Sequence, residues 1–232
     1  TEILVDYIIQ LIQDRKYWFC FDDFHLVDGN SNTQSLVQRM REATRSTQVY
    51  FIITTRSIPA FIDINEYHPL AGLSRNDVHK LVVKRGLELS QSMVSTLHRK
   101  TDGNAEIINL AIISLSAASN KGGFIEKLDK AKNVQRYILN EVDRRLNADE
   151  RAVMRVCSIL LGYSANQDII EAIVNENVDV WGTLFDLADR HLLTTDQTEV
   201  DAQAYHQHAI LQGYFYNALS KTKRLTYHRK AG

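Results

Sequence analysis

The chain has 232 residues, 44% of them hydrophobic and 24% charged, a mixture that excludes an intrinsically disordered polymer. Lysine and arginine number 27 against 28 acids, a net charge of −1, which excludes a protein that binds polyanions through bulk charge. The balance is uneven. Lys221, Lys223, Arg224, Arg229 and Lys230 all follow the last acid, Asp201, and without them 22 basic residues face 28 acidic ones.

Leu4, Ile8, Leu11 and Ile12 recur at helical spacing and predict an amphipathic helix over 3–14. Tyr17-Trp18-Phe19-Cys20-Phe21 is a short apolar run that stops at Asp22-Asp23. Its length and aromatic content predict a strand buried on both faces, as in a parallel sheet. Residues 28–32 read as a loop, and 33–45 as a helix with Leu36, Val37 and Met40 inward. Residues 49–54 read as a second buried strand, ending at Thr55-Arg56-Ser57. Helix and strand in alternation predict a doubly wound α/β layer.

Ser74-Arg75-Asn76-Asp77 is a capping pattern that opens a helix ending near Gly86. Ser90 opens another, which ends at Thr101-Asp102-Gly103, and a third runs from Asn104 to Ala118. Past Gly122-Gly123, Val134, Ile138, Val142 and Leu146 repeat every fourth residue along a fourth helix, so 71–146 reads as a small helical bundle. Asn147 to Glu150 caps a helix with Val153, Val156, Ile159 and Leu160 inward. Short helices follow over Gln167–Asn175 and Trp181–Asp189. The stretches 191–195 and 198–200 flank a polar turn at Asp196-Gln197, and Tyr205 to Lys221 reads as a closing helix. Three helices followed by a hairpin is the order of a winged helix-turn-helix.

Cys20 and Cys157, the only cysteines, lie in apolar runs, which excludes a disulfide framework and points to a reduced, cytoplasmic setting. No apolar stretch reaches the roughly 18–20 residues that span a bilayer, so no membrane partner is expected.

Two acids at the carboxyl end of a buried parallel strand stand where open α/β sheets bind ligands. One carboxylate there can hold Mg²⁺ and the next can orient or deprotonate an attacking water. Arg56, just after the second strand, falls on the same edge, and its planar fork suits a terminal phosphate. His206-Gln207-His208 lacks any Cys or carboxylate at metal-binding spacing, so it does not read as a metal site. The Trp181 helix carries Asp179, Asp186 and Asp189, which oppose phosphates, and reads as a packing module rather than a DNA reader.

In order and spacing these elements resemble the STAND class of signal-transduction ATPases, relatives of the NB-ARC and NACHT modules and of the ATPase core of the maltose-regulon activator. The resemblance rests on Asp22-Asp23 as a Walker B end, Thr54-Thr55-Arg56 as a sensor strand, and Gly72-Leu73-Ser74-Arg75-Asn76-Asp77 as the start of a lid. It rests further on Thr101-Asp102-Gly103 and on a late Tyr205-His206-Gln207. It implies a partial P-loop NTPase α/β core over 1–70, a helical lid over 71–146, and a winged helix with the start of a helical extension over 147–232, mostly α overall. It implies ATP, ADP and Mg²⁺ as ligands, with the metal at Asp22, catalysis at Asp23, γ-phosphate sensing by Arg56, and nucleotide contacts from Gly103 and His206. His25 fits the Asp-Asp-x-His variant, beside the acids. ADP would clamp the lid and winged helix onto the core, and ATP would favour self-association through the core. Hydrolysis would be slow, and the fragment alone inactive. Further N- and C-terminal domains of the same polypeptide are implied as partners.

Two departures matter. No Gly-x-x-x-x-Gly-Lys-[Ser/Thr] occurs anywhere, and the family places that loop about one βαβ unit upstream of Thr1. Gly103-Asn104-Ala105 stands where the family has Gly-x-Pro. The alternative is a non-enzymatic winged-helix module, binding DNA or protein, on a relic ATPase core. An AAA+-like replication initiator is a third reading, and it would need a more basic recognition helix.

Overall fold

A computed structural model of the chain describes residues 2–174, 177–197 and 203–231. It divides into two compact units, residues 1–70 and 71–232. The molecule is mostly helical, with a small two-stranded parallel sheet in the first unit and a three-stranded antiparallel sheet in the second. No helix among the described residues is long and apolar enough to cross a membrane.

The first unit comprises α1 (Glu2–Ile12), β1 (Tyr17–Phe21), α2 (Ser31–Ala43) and β2 (Val49–Ile53). Asn30 starts α2 by accepting the Asn32 and Thr33 amides on its side chain. β1 and β2 pair in parallel, Tyr17 opposite Val49 through Phe21 opposite Ile53. Val5, Ile12, Met40 and Val49 form the core, with Ile8, Ile9, Tyr17, Phe19, Leu36 and Phe51 against it. The inward stripe of α1 is therefore 5, 8, 9 and 12, and Leu11 points outward, 54% exposed. The strands are not buried on both faces as their apolar runs predict. Alternate side chains leave a strand on opposite faces. Here only the face of Tyr17, Phe19 and Phe51 packs into the core with α1 and α2. Trp18, Cys20, Tyr50 and Ile52 are exposed, Trp18 stacking on Tyr50 across the strands at 4.8 Å.

The second unit starts with α3 (Arg75–Lys84), α4 (Gln91–Thr101), α5 (Ala105–Ser116), α6 (Lys121–Lys130) and α7 (Val134–Arg144). α5 is buried nearly all round, through Ile107, Ile108, Leu110, Ala111, Ile112, Ser114 and Leu115. α6 is absent from the sequence reading, because Gly122-Gly123 reads there as a break. Both glycines sit in its first turn, where Asn120 caps the Gly123 amide at 2.8 Å and its side chain fills the space a Cβ at Gly123 would need.

α8 (Ala148–Ile159), β3 (Ala165–Asn166), α9 (Gln167–Ile173), α10 (Val180–Asp189), β4 (Thr194–Gln197), β5 (Gln203–His206), α11 (Ala209–Ala218) and α12 (Lys221–Ala231) complete the unit. α8 opens with a full capping box: Asn147 accepts the Glu150 amide and the Glu150 carboxylate accepts the Asn147 amide. β5 lies between β3 and β4, antiparallel to both. Tyr205 and His206 thus close a strand and do not open a helix. The predicted helix over 205–221 is replaced by β5, α11 and a break at Leu219, whose backbone is extended. The predicted strand at 198–200, and Asn175 at the predicted end of a helix, lie outside the described residues. One continuous core runs from Val78 to Leu219, so the bundle and the elements after α8 share a single apolar interior.

Candidate functional site

In the first unit, the chemistry gathers at the carboxyl end of the parallel pair. The ladder continues past the strands: the Thr54 amide donates to the Phe21 carbonyl at 2.9 Å, and the Phe24 amide to the Thr54 carbonyl at 2.9 Å. Between those two bonds the chain must turn sharply, and Asp23 adopts a left-handed conformation, φ 48° and ψ 40°. Its amide donates to the Thr54 hydroxyl oxygen at 2.9 Å and to Asp22 Oδ1 at 3.1 Å. The Thr54 hydroxyl in turn donates to Asp22 Oδ1. Phe24, 1% exposed, anchors the turn edge-on against Phe21 and Phe61.

The two carboxylates are therefore held unequally. One oxygen of Asp22 is fixed by Thr54, and the exposed Asp23 carboxylate lies 3.7 Å from Nδ1 of His25. The His25 ring is mostly buried, and its Nδ1 has no hydrogen-bond partner among the described residues. Arg56 is exposed, two residues beyond Thr54. A single carboxylate oxygen open to solvent suits Mg²⁺, which keeps most of its waters and takes one or two carboxylates plus phosphate oxygens. No group of three or more His, Cys, Asp or Glu at metal-binding distance exists among the described residues. Thr54 is the residue that sequence reasoning undervalued. Its place directly after an apolar strand is the only signal for it, because its partner lies 32 residues away.

In the second unit, the segments around Gly72 and Gly103 meet. The Leu73 amide donates to the Gly103 carbonyl at 2.8 Å. Gly103 has φ +68°, and a Cβ on it would stand 2.5 Å from the Leu73 carbonyl oxygen; a Cβ on Gly72 would stand 2.3 Å from that of Asp102. Both glycines are explained by this close backbone approach. α5 begins two residues later, with Asn104 capping the Ile107 amide.

His206 does not face α5. Its Nδ1 lies 2.9 Å from Asp196 Oδ2, which also accepts from the Ser164 hydroxyl at 2.5 Å. The Ser164 bond first, and His206 next among the favourable partners, hold the Asp196 carboxyl below its ordinary pKa. Gln207 turns inward, 3% exposed, and donates to the Met154 carbonyl at 2.7 Å. The imidazole that reaches the first turn of α5 is that of His208, with Nδ1 3.8 Å from Glu106 Oε1. His208 also caps α11. Both residues line a cleft of about 490 Å³ with Arg85, His191, Tyr205 and Leu211. Burial raises the Glu106 pKa, and the charge of His208 opposes that shift. Burial first, then the Arg85 guanidinium, lowers that of His191.

No family model and no curated protein matches the chain. Among solved structures it is weakly similar to a chain in the structure of Drosophila ORC bound to DNA. Identity there is 12%, over 94% of this chain and 73% of that one, with a TM-score of 0.27.

Proposed function

We propose that the chain is the nucleotide-switch module of a STAND-type ATPase, in which bound ATP or ADP controls self-association and effector firing. The observation that carries the reading is the joined pair Asp22–Thr54 at the carboxyl edge of two parallel strands, with Asp23 splayed beside it and Arg56 two residues on. In such a switch Asp22 would hold Mg²⁺ through its free carboxylate oxygen, and Thr54 would fix the rotamer from which it does so. Asp23 would orient or deprotonate water, with His25 beside its carboxylate to bias the proton, and Arg56 would pair a terminal phosphate. Among the described residues β2 pairs only with β1, and a groove of about 700 Å³ runs beside its free edge. A further parallel strand bearing a glycine-rich phosphate loop would dock there.

In the second unit, the order α8–β3–α9–α10–β4–β5 with sheet order β3-β5-β4 supports the winged-helix reading. His208, facing α5 just past Gly103, becomes the better candidate than His206 for a residue that reads nucleotide state. Such a switch needs different affinities for its two states, since equal affinity shifts nothing.

The test uses the natural full-length polypeptide. Fluorescent ADP and ATP are titrated with Mg²⁺, and oligomer size is followed by light scattering. Asp22→Asn is expected to lower Mg²⁺-dependent ATP affinity at least tenfold, and Arg56→Ala to remove the ATP-over-ADP effect on assembly. His208→Ala is expected to raise assembly in ADP more than His206→Ala does. Absence of nucleotide binding by the folded wild type rejects the reading.

A further inference from the structure

The outer face of α10 is exposed and aromatic. Val180, Thr183, Leu184 and Leu187 point into the core. Trp181 and Phe185, one turn apart, are 66% and 62% exposed, with rings stacked at 6.3 Å and 15°. The exposed Asp189 continues that stripe, with the exposed Asp186 and Asp179 beside it. The neighbouring cation, Arg190, is held by Glu150 at 2.8 Å. The aliphatic half of this helix is thus core and its aromatic half is outside.

α12 presents the opposite character. It carries no acid, and Lys221, Leu225 and Arg229 fall one turn apart on an exposed stripe. Leu225 is 51% exposed, and none of Lys221, Lys223 and Arg229 makes an ion pair among the described residues. The other side of α12 is fastened down. Arg224 lies over the Tyr216 ring at 4.4 Å, His228 meets the Tyr216 hydroxyl at 3.4 Å, and Lys230 donates to the Ile173 carbonyl at 3.1 Å.

We infer that these are two halves of one contact, and that a second copy of this chain is the occupant: the α10 face of one copy takes the α12 face of the next. The charges complement one another, acids without a free cation against cations without an acid. Trp181 and Phe185 offer aromatic faces to the Leu225 side chain and to the stems and charges of Lys221 and Arg229. The helices have 10 and 11 residues, so the stripes match in length. Both helices are already fixed to α8 and α9 by their inner faces, so the outward stripes meet only between copies. When the two faces of one copy engage two different neighbours, the contact is heterologous and propagates into rings or open chains; reciprocal pairing of both faces within one pair of copies would instead close a two-fold dimer. One helix pair falls below the roughly 1,200 Å² of standard interfaces, so the association is weak and salt-sensitive. The inference lies wholly within residues 71–232 and does not rest on the nucleotide reading.

Sedimentation velocity of the 232-residue chain at about 100 μM tests it, in low salt and without nucleotide. Expected is a mass that keeps rising with concentration past two chains and falls to the monomer at about 0.5 M salt, where the Debye length is only a few ångströms. Trp181→Ala with Phe185→Ser, and separately Lys221→Glu with Arg229→Glu, are each expected to be monomeric with wild-type circular dichroism. Mixed in equal amounts, the two variants are expected to form a complex that stops at two chains, since each retains one intact face. A wild type that stays monomeric at about 500 μM, a dimer that saturates at two chains, or variants that fail to complement overturns the proposal. So does duplex DNA binding lost in Lys221→Glu/Arg229→Glu without any self-association, which would make the basic stripe a nucleic-acid face.

Discussion

Replacing Gly103 by alanine tests whether the Gly72-Leu73 and Gly103 segments are clasped as tightly as the backbone indicates. Gly103 has φ +68°, and holding an L-residue there costs about 1–2 kcal/mol. The new Cβ would also stand 2.5 Å from the Leu73 carbonyl oxygen, 2.8 Å from the Leu73 nitrogen and 2.9 Å from the Gly72 carbonyl carbon. All three are backbone atoms, so no rotamer change relieves the clash. The segments must separate, which strains the Leu73 amide to Gly103 carbonyl bond, worth about 0.5–1.5 kcal/mol, and adds about 1–3 kcal/mol of overpacking. The lower entropy of the unfolded alanine chain returns about 0.4–1 kcal/mol. The expected net loss is about 4 kcal/mol, or roughly 8–16 °C in Tm for a unit of this size. Gly86→Ala is the matched control: its φ is +71° but nothing lies within 4 Å of its Cβ position. It should lose about 1 kcal/mol or less, roughly 2–4 °C. Thermal melts followed by far-ultraviolet circular dichroism report chiefly the second unit, which holds most of the helices. A Gly103→Ala chain that melts within about 2 °C of the Gly86→Ala chain would refute the clasp.

Two further predictions follow from titrating groups. Burial raises the Glu106 pKa, so the folded chain holds that proton more tightly than the unfolded one does, and the ionised form destabilises the fold above the ordinary glutamate range. Glu106→Gln should therefore raise Tm by about 1–3 °C at pH 8 and change little near pH 3.5; a larger gain at the acid end would contradict this. The Cys157 thiol is wholly buried and pushed up to about 12, whereas Cys20 is exposed on the open face of the parallel sheet. The native chain at pH 8 should react rapidly with one equivalent of thiol reagent and with two only after unfolding. Two fast equivalents from the native chain would show that the second core is not closed.

What sequence alone determined was local. Apolar runs and turn residues specify β1, β2 and most helices, and Ser74, Ser90, Asn104 and Asn147 each cap the helix their position announces. The acids and the arginine of the candidate edge were legible for the same reason, since the end of an apolar strand is visible along the chain. The contacts that give the sites their geometry join residues far apart in sequence: Asp22 with Thr54, Leu73 with Gly103, Glu106 with His208. Nothing local records such pairings. β3 and β5 are too short to outweigh neighbouring helical patterns, and they exist because each finds a partner across the antiparallel sheet. Periodicity shows which side chains share a face but not whether that face finds a neighbour. Only tertiary structure decided that Tyr17 and Phe19 are covered while Trp18 and Cys20 are open, and that Leu184 is core while Trp181 and Phe185 face outward.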